Sequence, residues 1–368
     1  MAIAAPRWVF GALALAALAG CTGVEGAGGE RTTRPSLAPV AFTELPGWRD
    51  DNLAEALVAF RRSCPRLTAG DTRIVADNGE RRTTADEWKR VCQRAEQVRD
   101  PRGARTFLEQ NFQAFAVGGQ GVEPKYTAYY EPDLRGSKAP SRRFTIPIYK
   151  KPPDLQGGNP YLTRAEIENG ALRGKGLEIA WVEDPIGLFE MQIQGGGRIA
   201  LIEGGSLRLG FDGTNNRPYT AIGKVLADEG AIPRDQVTAQ SIRKWLQANP
   251  QRSRDVMRRN ERYVFFKDTK GAGPVGAQGV TLTSGRSLAI DAAVMSYGIP
   301  VYVDTMRPGA AGGARTPYRR LMVAQDTGGD IKGPGRGDIY LGSGNAIGDV
   351  AGRFNSGGRM FVLLPKKN

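Results

Sequence analysis

The sequence predicts a mainly β protein with some α-helix, arranged as two domains. Three observations predict it. Gly (49 residues) and Pro (23) punctuate the chain between short apolar runs, which is the pattern of strands and turns. Helix-period stripes of apolar residues are confined to two stretches of the chain. The 368 residues, 40% of them hydrophobic, suffice for more than one core at roughly 150 residues per domain.

The elements follow in order. Leu53, Ala56, Leu57 and Phe60 form the i, i+3, i+4, i+7 stripe of a first helix. Thr84 and Glu87 have the spacing of a capping box, and Trp88, Val91, Cys92 and Ala95 behind them make a second stripe. Ala104, Phe107, Leu108 and Phe112 make a third. From Tyr126 the pattern changes to strand-like runs at 126–130, 144–149, 177–182, 188–194 and 198–201, which read as a small barrel or sandwich. Residues 220–260 return to helical patterning, with Ile222, Val225 and Leu226 on one face. The last third is strand-rich again, at 263–266, 288–290, 301–303, 321–324, 338–341 and 360–364.

Two compositional facts narrow the chemistry. No histidine occurs anywhere, which excludes Ser-His-Asp and Cys-His catalysis and removes the commonest zinc ligand. Acid/base work therefore falls to Asp, Glu, Lys, Tyr or Cys. The net charge of +13 suits a polyanionic partner, whether nucleic acid, anionic lipid or the peptide-bearing glycan of a bacterial wall; solubility alone is the simpler account.

The N-terminus carries a compartment signal. Arg7 precedes an apolar stretch, Trp8 to Ala19, that is too short to span a bilayer. It ends in Leu18-Ala19-Gly20-Cys21, which resembles the lipobox of bacterial lipoproteins. That resemblance implies a signal peptide over 1–20, a lipidated Cys21 and, with Thr22 rather than an aspartate next, the outer membrane. Residues 21–40, rich in Gly, Glu, Thr, Arg and Pro, read as a tether. An oxidising periplasm would favour a Cys64–Cys92 disulfide; two buried free thiols are the alternative.

Without histidine, the chemistry is sought in carboxylates set among glycines, where a substrate approaches the backbone closely. The segment from Asp326 to Tyr340 is the densest such region, with Asp326, Asp330 and Asp338 beside or one residue from glycine, and Lys332 and Arg336 among them. Any single Asp-Gly pair is more often a turn that caps backbone N–H groups. Asp326-Thr327-Gly328 also has the form used by aspartic peptidases, but that chemistry needs two carboxylates sharing a proton and one such triplet occurs. Upstream, Tyr129 and Tyr130 stand beside Glu131, and Gln194 precedes the glycine run Gly195–Gly197. Aromatic faces stack on sugars and amides bond their hydroxyls; strand packing and a tight turn are the plainer readings.

Taken together, these pieces resemble the membrane-bound lytic murein transglycosylase A family with its C-terminal three-aspartate (3D) domain. The likeness runs from about Tyr126 to Leu364 and rests on Tyr-Tyr-Glu-Pro at 129–132, Pro147-Ile148-Tyr149, Gln194-Gly195, Ala221 to Leu226, Phe265-Phe266-Lys267, Gly285 to Leu288 and, above all, Asp326 to Tyr340. The family's Tyr-Tyr-Thr-Pro form has Glu131 in place of threonine here, and the loop between the two aspartates is about one residue longer. The resemblance implies a double-psi β-barrel, assembled from residues 41–133 and 263–368, with a smaller β-barrel inserted over 134–262 and a groove between them. It implies a peptidoglycan lytic exotransglycosylase, a lyase that needs no metal or organic cofactor. The catalytic acid falls on Asp338, supported by Asp326, with Tyr129, Tyr130, Gln194, Gly195, Lys332 and Tyr340 contacting substrate. The implied partners are peptidoglycan glycan strands, the membrane through the lipid anchor, and other cell-wall synthesis proteins, with no nucleic acid. A non-catalytic wall-binding lipoprotein and an aspartic-type peptidase using Asp326 are the competing readings.

Overall fold

The structure, a computed structural model, describes residues 34–77, 79–271, 273–309 and 313–367. The signal peptide expected over 1–20 and the expected lipidation site Cys21 lie outside the described residues. The tether expected over 21–40 ends earlier than its composition indicates, because Ser36–Val40 form a strand, β1. Leu37 and Val40 pack against the core from this strand, which is why it is held.

Helix α1 (Leu53–Leu67) buries Leu53, Ala56, Leu57, Phe60, Cys64 and Leu67, the predicted stripe extended by a turn. A hairpin of β2 (Thr72–Ala76) and β3 (Gly79–Thr83) follows. Helix α2 (Ala85–Ala95) starts at the expected capping box: Thr84 N–H donates to Glu87 Oε2 at 2.8 Å and Glu87 N–H to Thr84 Oγ1 at 3.3 Å. Helix α3 (Pro101–Asn111) has Asp100 as its cap, accepting from Gly103 N–H at 2.9 Å. A disulfide joins Cys64 of α1 to Cys92 of α2. The chain then enters β4 (Phe112–Gly118), which pairs antiparallel with β1, and β5 (Lys125–Glu131).

Residues after β5 form a second sheet. Its strands are β6 (Asp133–Ser137), β7 (Ile146–Tyr149), β8 (Glu178–Val182), β9 (Gly196–Leu201), β10 (Ser206–Thr214) and β11 (Val264–Asp268), in the order β11-β10-β9-β6-β8-β7. The edge strands β7 and β11 also touch, so the sheet curls around a core of Leu134, Ile148, Val182, Met191, Ile199 and Phe266. Between the strands run the short α4 (Arg164–Glu166) and helices α5 (Pro185–Gln194), α6 (Ile222–Asp228), α7 (Ala239–Ala248) and α8 (Pro250–Arg258). The strand expected over 188–194 is therefore helix α5. Its alternating Phe189, Met191 and Ile193 mimic a strand, but Asp184 caps it, Pro185 opens it and Gly195, at φ 80°, closes it.

The chain returns through β12 (Ser287–Ala289), β13 (Pro300–Arg307), β14 (Thr316–Asp326), β15 (Arg336–Ser343), helix α9 (Asn345–Ala351) and β16 (Asn355–Pro365). Strands β16, β13, β14, β12, β15 and β5 close into a ring because β16 also pairs with β5; β4 and β1 extend it. The ring mixes parallel pairs, β12 with β14 and β15 with β5, with antiparallel ones, as expected of a double-psi barrel. Its core joins Phe112, Tyr126, Leu288, Val301, Val323, Ile339 and Val362 to the α1–α3 residues. Arg286, 1% exposed, fastens α1 to this barrel by donating to Asp51, Glu55 and the carbonyls of Asn52 and Leu321.

Candidate active site

Barrel pairing brings distant parts of the chain to Asp338. Across β5 it faces Thr127 in parallel register, and across β12 it faces Ala289. The preceding residue must be small: a Cβ on Gly337 would lie 2.9 Å from the Tyr126 ring and 3.1 Å from Leu288. The Asp338 side chain is half-buried and accepts a short hydrogen bond from the Thr127 hydroxyl at Oδ1. Burial pushes its carboxyl up to about 6. The Thr127 hydroxyl and the Arg336 cation oppose the rise, while the charges of Asp326 and Asp330 add to it. Arg336, which donates to Thr127 Oγ1 at 2.8 Å, is thus the cation the site tolerates, and desolvation outweighs it.

Asp326 ends β14 on the other side of Ala289. Its Oδ2 accepts from the Tyr129 hydroxyl at 2.7 Å, and its Oδ1 accepts from the N–H groups of Ala277 and Thr327, both at 2.9 Å. Burial raises its pKa and these three donors hold it back. Tyr129 is itself kept protonated by burial and by the Asp326 charge, so it stays a donor. Nothing here shares a proton between two carboxylates, so the geometry does not support the aspartic-peptidase reading of Asp326.

The other expected site residues divide. Tyr129 belongs to the Asp326 cluster. Tyr340 backs it, with ring centroids 5.4 Å apart, but Tyr340 is only 3% exposed and has little surface to offer a substrate. Tyr130 lies on the opposite face of β5, as strand alternation requires. It lines a cleft of about 420 Å³ with Asp184, Glu190, Gln194, Arg243 and Asp349, which does not include Asp338. Gln194 Oε1 accepts from Tyr130 N–H at 3.1 Å, and Gly195 is the left-handed residue that ends α5. Lys332 is exposed and extends towards Asp291, 4.0 Å away. Arg336 was visible beside Asp338 in the sequence, two residues away on β15. Thr127 and the Ala277 N–H were not legible as site residues, since Thr127 reaches Asp338 through the pairing of β5 with β15 and Ala277 reaches Asp326 from a distant turn.

Fold and site define a class first: an acid/base enzyme on a closed mixed β-barrel, with a second, smaller sheet inserted in the chain. Residues 125–267 match the MltA specific insert domain and residues 286–364 the 3D domain. The chain is 32% identical over 315 residues to membrane-bound lytic murein transglycosylase A of Escherichia coli K12, covering 85% of this chain and 81% of that one. A membrane-bound lytic murein transglycosylase from Agrobacterium tumefaciens superposes with a TM-score of 0.78 at 32% identity, over 90% of this chain and 98% of that one. The E. coli protein with bound chitohexaose superposes with a TM-score of 0.69 at 29% identity, over 91% and 96%. The chain belongs to the membrane-bound lytic murein transglycosylase A family.

Proposed function

We propose that this protein is a peptidoglycan lytic transglycosylase that cleaves the β-1,4 bond between N-acetylmuramic acid and N-acetylglucosamine, with Asp338 as its single acid and base. One observation carries the assignment: a half-buried carboxyl, raised to about 6, stands on a barrel strand, and among the described residues no second carboxylate is hydrogen-bonded to it. In the first step Asp338 donates its proton to the leaving glycosidic oxygen. In the second, as a carboxylate, it takes the proton from the muramyl O6 hydroxyl while O6 attacks C1 of the same sugar. The product is a 1,6-anhydromuramyl end and no water is consumed. Ordinary glycosidases need a second carboxylate to activate water or to form a covalent intermediate. Here the nucleophile is part of the substrate, already held near the reacting carbon.

The supporting parts follow. Asp326 and Tyr129 border Asp338, and the glycan would lie between the barrel (41–133 with 263–368) and the inserted residues 134–262. Leu18-Ala19-Gly20-Cys21 and relatives named as membrane-bound support a lipid anchor at Cys21, on the periplasmic face of the outer membrane. Among the described residues no helix is long and apolar enough to cross a membrane. The surplus of cations suits the carboxylates of stem peptides.

The test is mass spectrometry of the soluble products released from purified sacculi. The proposal expects 1,6-anhydromuropeptides from the wild type and their release slowed by roughly 10²-fold or more in Asp338→Asn. Reducing ends would identify a hydrolase instead, cleaved peptides a protease, and full activity of Asp338→Asn would remove that residue from the mechanism.

A further inference from the structure

Glu131 is a buried carboxylate, 3% exposed, at the seam where β5 of the barrel passes into the inserted sheet. Burying such a charge is costly unless it is paired and hydrogen-bonded. Its partners come from both sides of the seam. Arg208 Nε of β10 donates to Oε1 at 2.8 Å, and Arg198 Nε of β9 stands 3.9 Å from Oε2. From the barrel, the Ser343 hydroxyl donates to Oε2 at 2.5 Å.

That last bond sets a direction. A carboxylate accepts only, so the one Ser343 proton is used on Glu131. The contact between Tyr340 Oη and Ser343 Oγ, at 3.2 Å, must then have Tyr340 as its donor. The Tyr340 ring, tied at its hydroxyl, packs on Tyr129 at 5.4 Å between centroids, and the Tyr129 hydroxyl donates to Asp326 at 2.7 Å. Arg208, Glu131, Ser343, Tyr340, Tyr129 and Asp326 thus form one connected series from the inserted sheet to the acid cluster.

We infer that Glu131 is a positioning residue for the reaction: it clamps the inserted sheet to the barrel and, through Ser343 and Tyr340, holds Tyr129 on Asp326. The inference rests on the transglycosylase reading for its kinetic consequence, but not for its geometry. Tyr340 has almost no free surface and Glu131 none to speak of, so neither serves as a glycan contact. Loss of the relay acts on turnover rather than on substrate affinity.

The experiment compares Ser343→Ala, Tyr340→Phe, Glu131→Gln and the Ser343→Ala/Tyr340→Phe double variant in the full-length protein. Release of anhydro product gives kcat and KM, and crystal structures of the same variants give the Tyr129–Asp326 distance. Each single variant is expected to lower kcat about tenfold, the scale on which outer partners of a site act, with KM changed less than about twofold. The double variant is expected to lose no more than either single one, because both cut the same series. In the crystals Tyr129 should leave Asp326. A purely structural role predicts a lower melting temperature with wild-type kcat and multiplicative effects. Wild-type kcat in Ser343→Ala, or Tyr129 still bonded to Asp326 in both Ser343→Ala and Tyr340→Phe, overturns the inference. Ser343→Ala leaves the buried ion pair intact and keeps the test open should Glu131→Gln fail to fold. A wild type that forms no anhydro product defeats the functional reading alone, and the crystal structures then decide the relay.

Discussion

Asp326 and Asp338 stand opposite the same residue, Ala289, one on each side of β12. Two strand spacings put their Cα atoms roughly 10 Å apart, too far for a shared proton in the resting register. At that range a charge still acts on its neighbour by about 1–2 kcal/mol at an effective dielectric constant near 20. Asp326 is therefore an electrostatic partner of Asp338, and its charge favours the proton that the proposed first step would require.

Asp326→Asn removes that charge. The Asp338 pKa should fall by roughly half to one unit, so the alkaline limb of kcat/KM against pH should move down by that amount. A pH–rate profile checks this, and an unmoved limb excludes the coupling.

Thr127→Val and Arg336→Met work in the opposite sense. Each removes a group that stabilises the Asp338 carboxylate, so the alkaline limb should move up, by on the order of one unit. At pH 7 a carboxyl titrating at about 6 is protonated in only about one molecule in ten, so both variants should gain acid form there. The same profiles, compared in parallel, show whether the two sets of shifts have opposite signs.

Asp338→Asn should lower the rate by roughly 10²–10⁴-fold, the usual worth of an acid/base group. Its effect on stability has a definite sign. The folded-state pKa of about 6 lies above the unfolded value near ~3.9, so the folded state holds the proton more tightly. Stability linked to that proton is complete below ~pH 4 and is lost as pH rises to about 6. The asparagine variant, which cannot ionise, should match wild type near pH 4 and exceed it above pH 6 by about 1–3 kcal/mol. Denaturant unfolding at pH 4, 5, 6 and 7 measures the difference.

Arg286→Met should destabilise the protein by about 3–5 kcal/mol, because it leaves the Asp51 carboxylate, whose side chain is 2% exposed, without its cation. Urea unfolding at neutral pH tests it, and a cost under about 1 kcal/mol would show that water or rearrangement compensates.

Cys92→Ser should cost about 3–4 kcal/mol on the chain-entropy account, since the Cys64–Cys92 bridge closes a loop of sequence separation 28. Reducing agent should lower the wild-type melting temperature and leave the variant unchanged.

Much of the fold is legible locally. The three N-terminal helices announce themselves by apolar stripes and, for the second, a capping box, all of which are short-range signals. Elements whose residues are polar or glycine-rich do not. Strand β6 (Asp133–Ser137), strand β10 (Ser206–Thr214) and helix α9 (Asn345–Ala351) carry weak periodicity; pairing with β9 supplies what the side chains of the two strands lack, and α9 is held by packing on β5 and β15. Strand β1 hides in a stretch composed like a tether and exists because β4 offers it an edge. Helix α5 shows the converse error, where alternation outweighed an N-cap, an N1 proline and a C-terminal glycine that were present to be read.

For the site, the sequence by itself determined the chemistry: no histidine, and carboxylates concentrated in one glycine-rich segment from Asp326 to Asp338. It could not decide which of them is raised, or by what. That depends chiefly on the burial that closure of the barrel produces, with Thr127, placed beside Asp338 by strand register, opposing the rise and the Asp326 charge across β12 adding to it. Desolvation and hydrogen bonding are properties of neighbours in space, so only the tertiary structure turns one aspartate among several into an acid of pKa about 6.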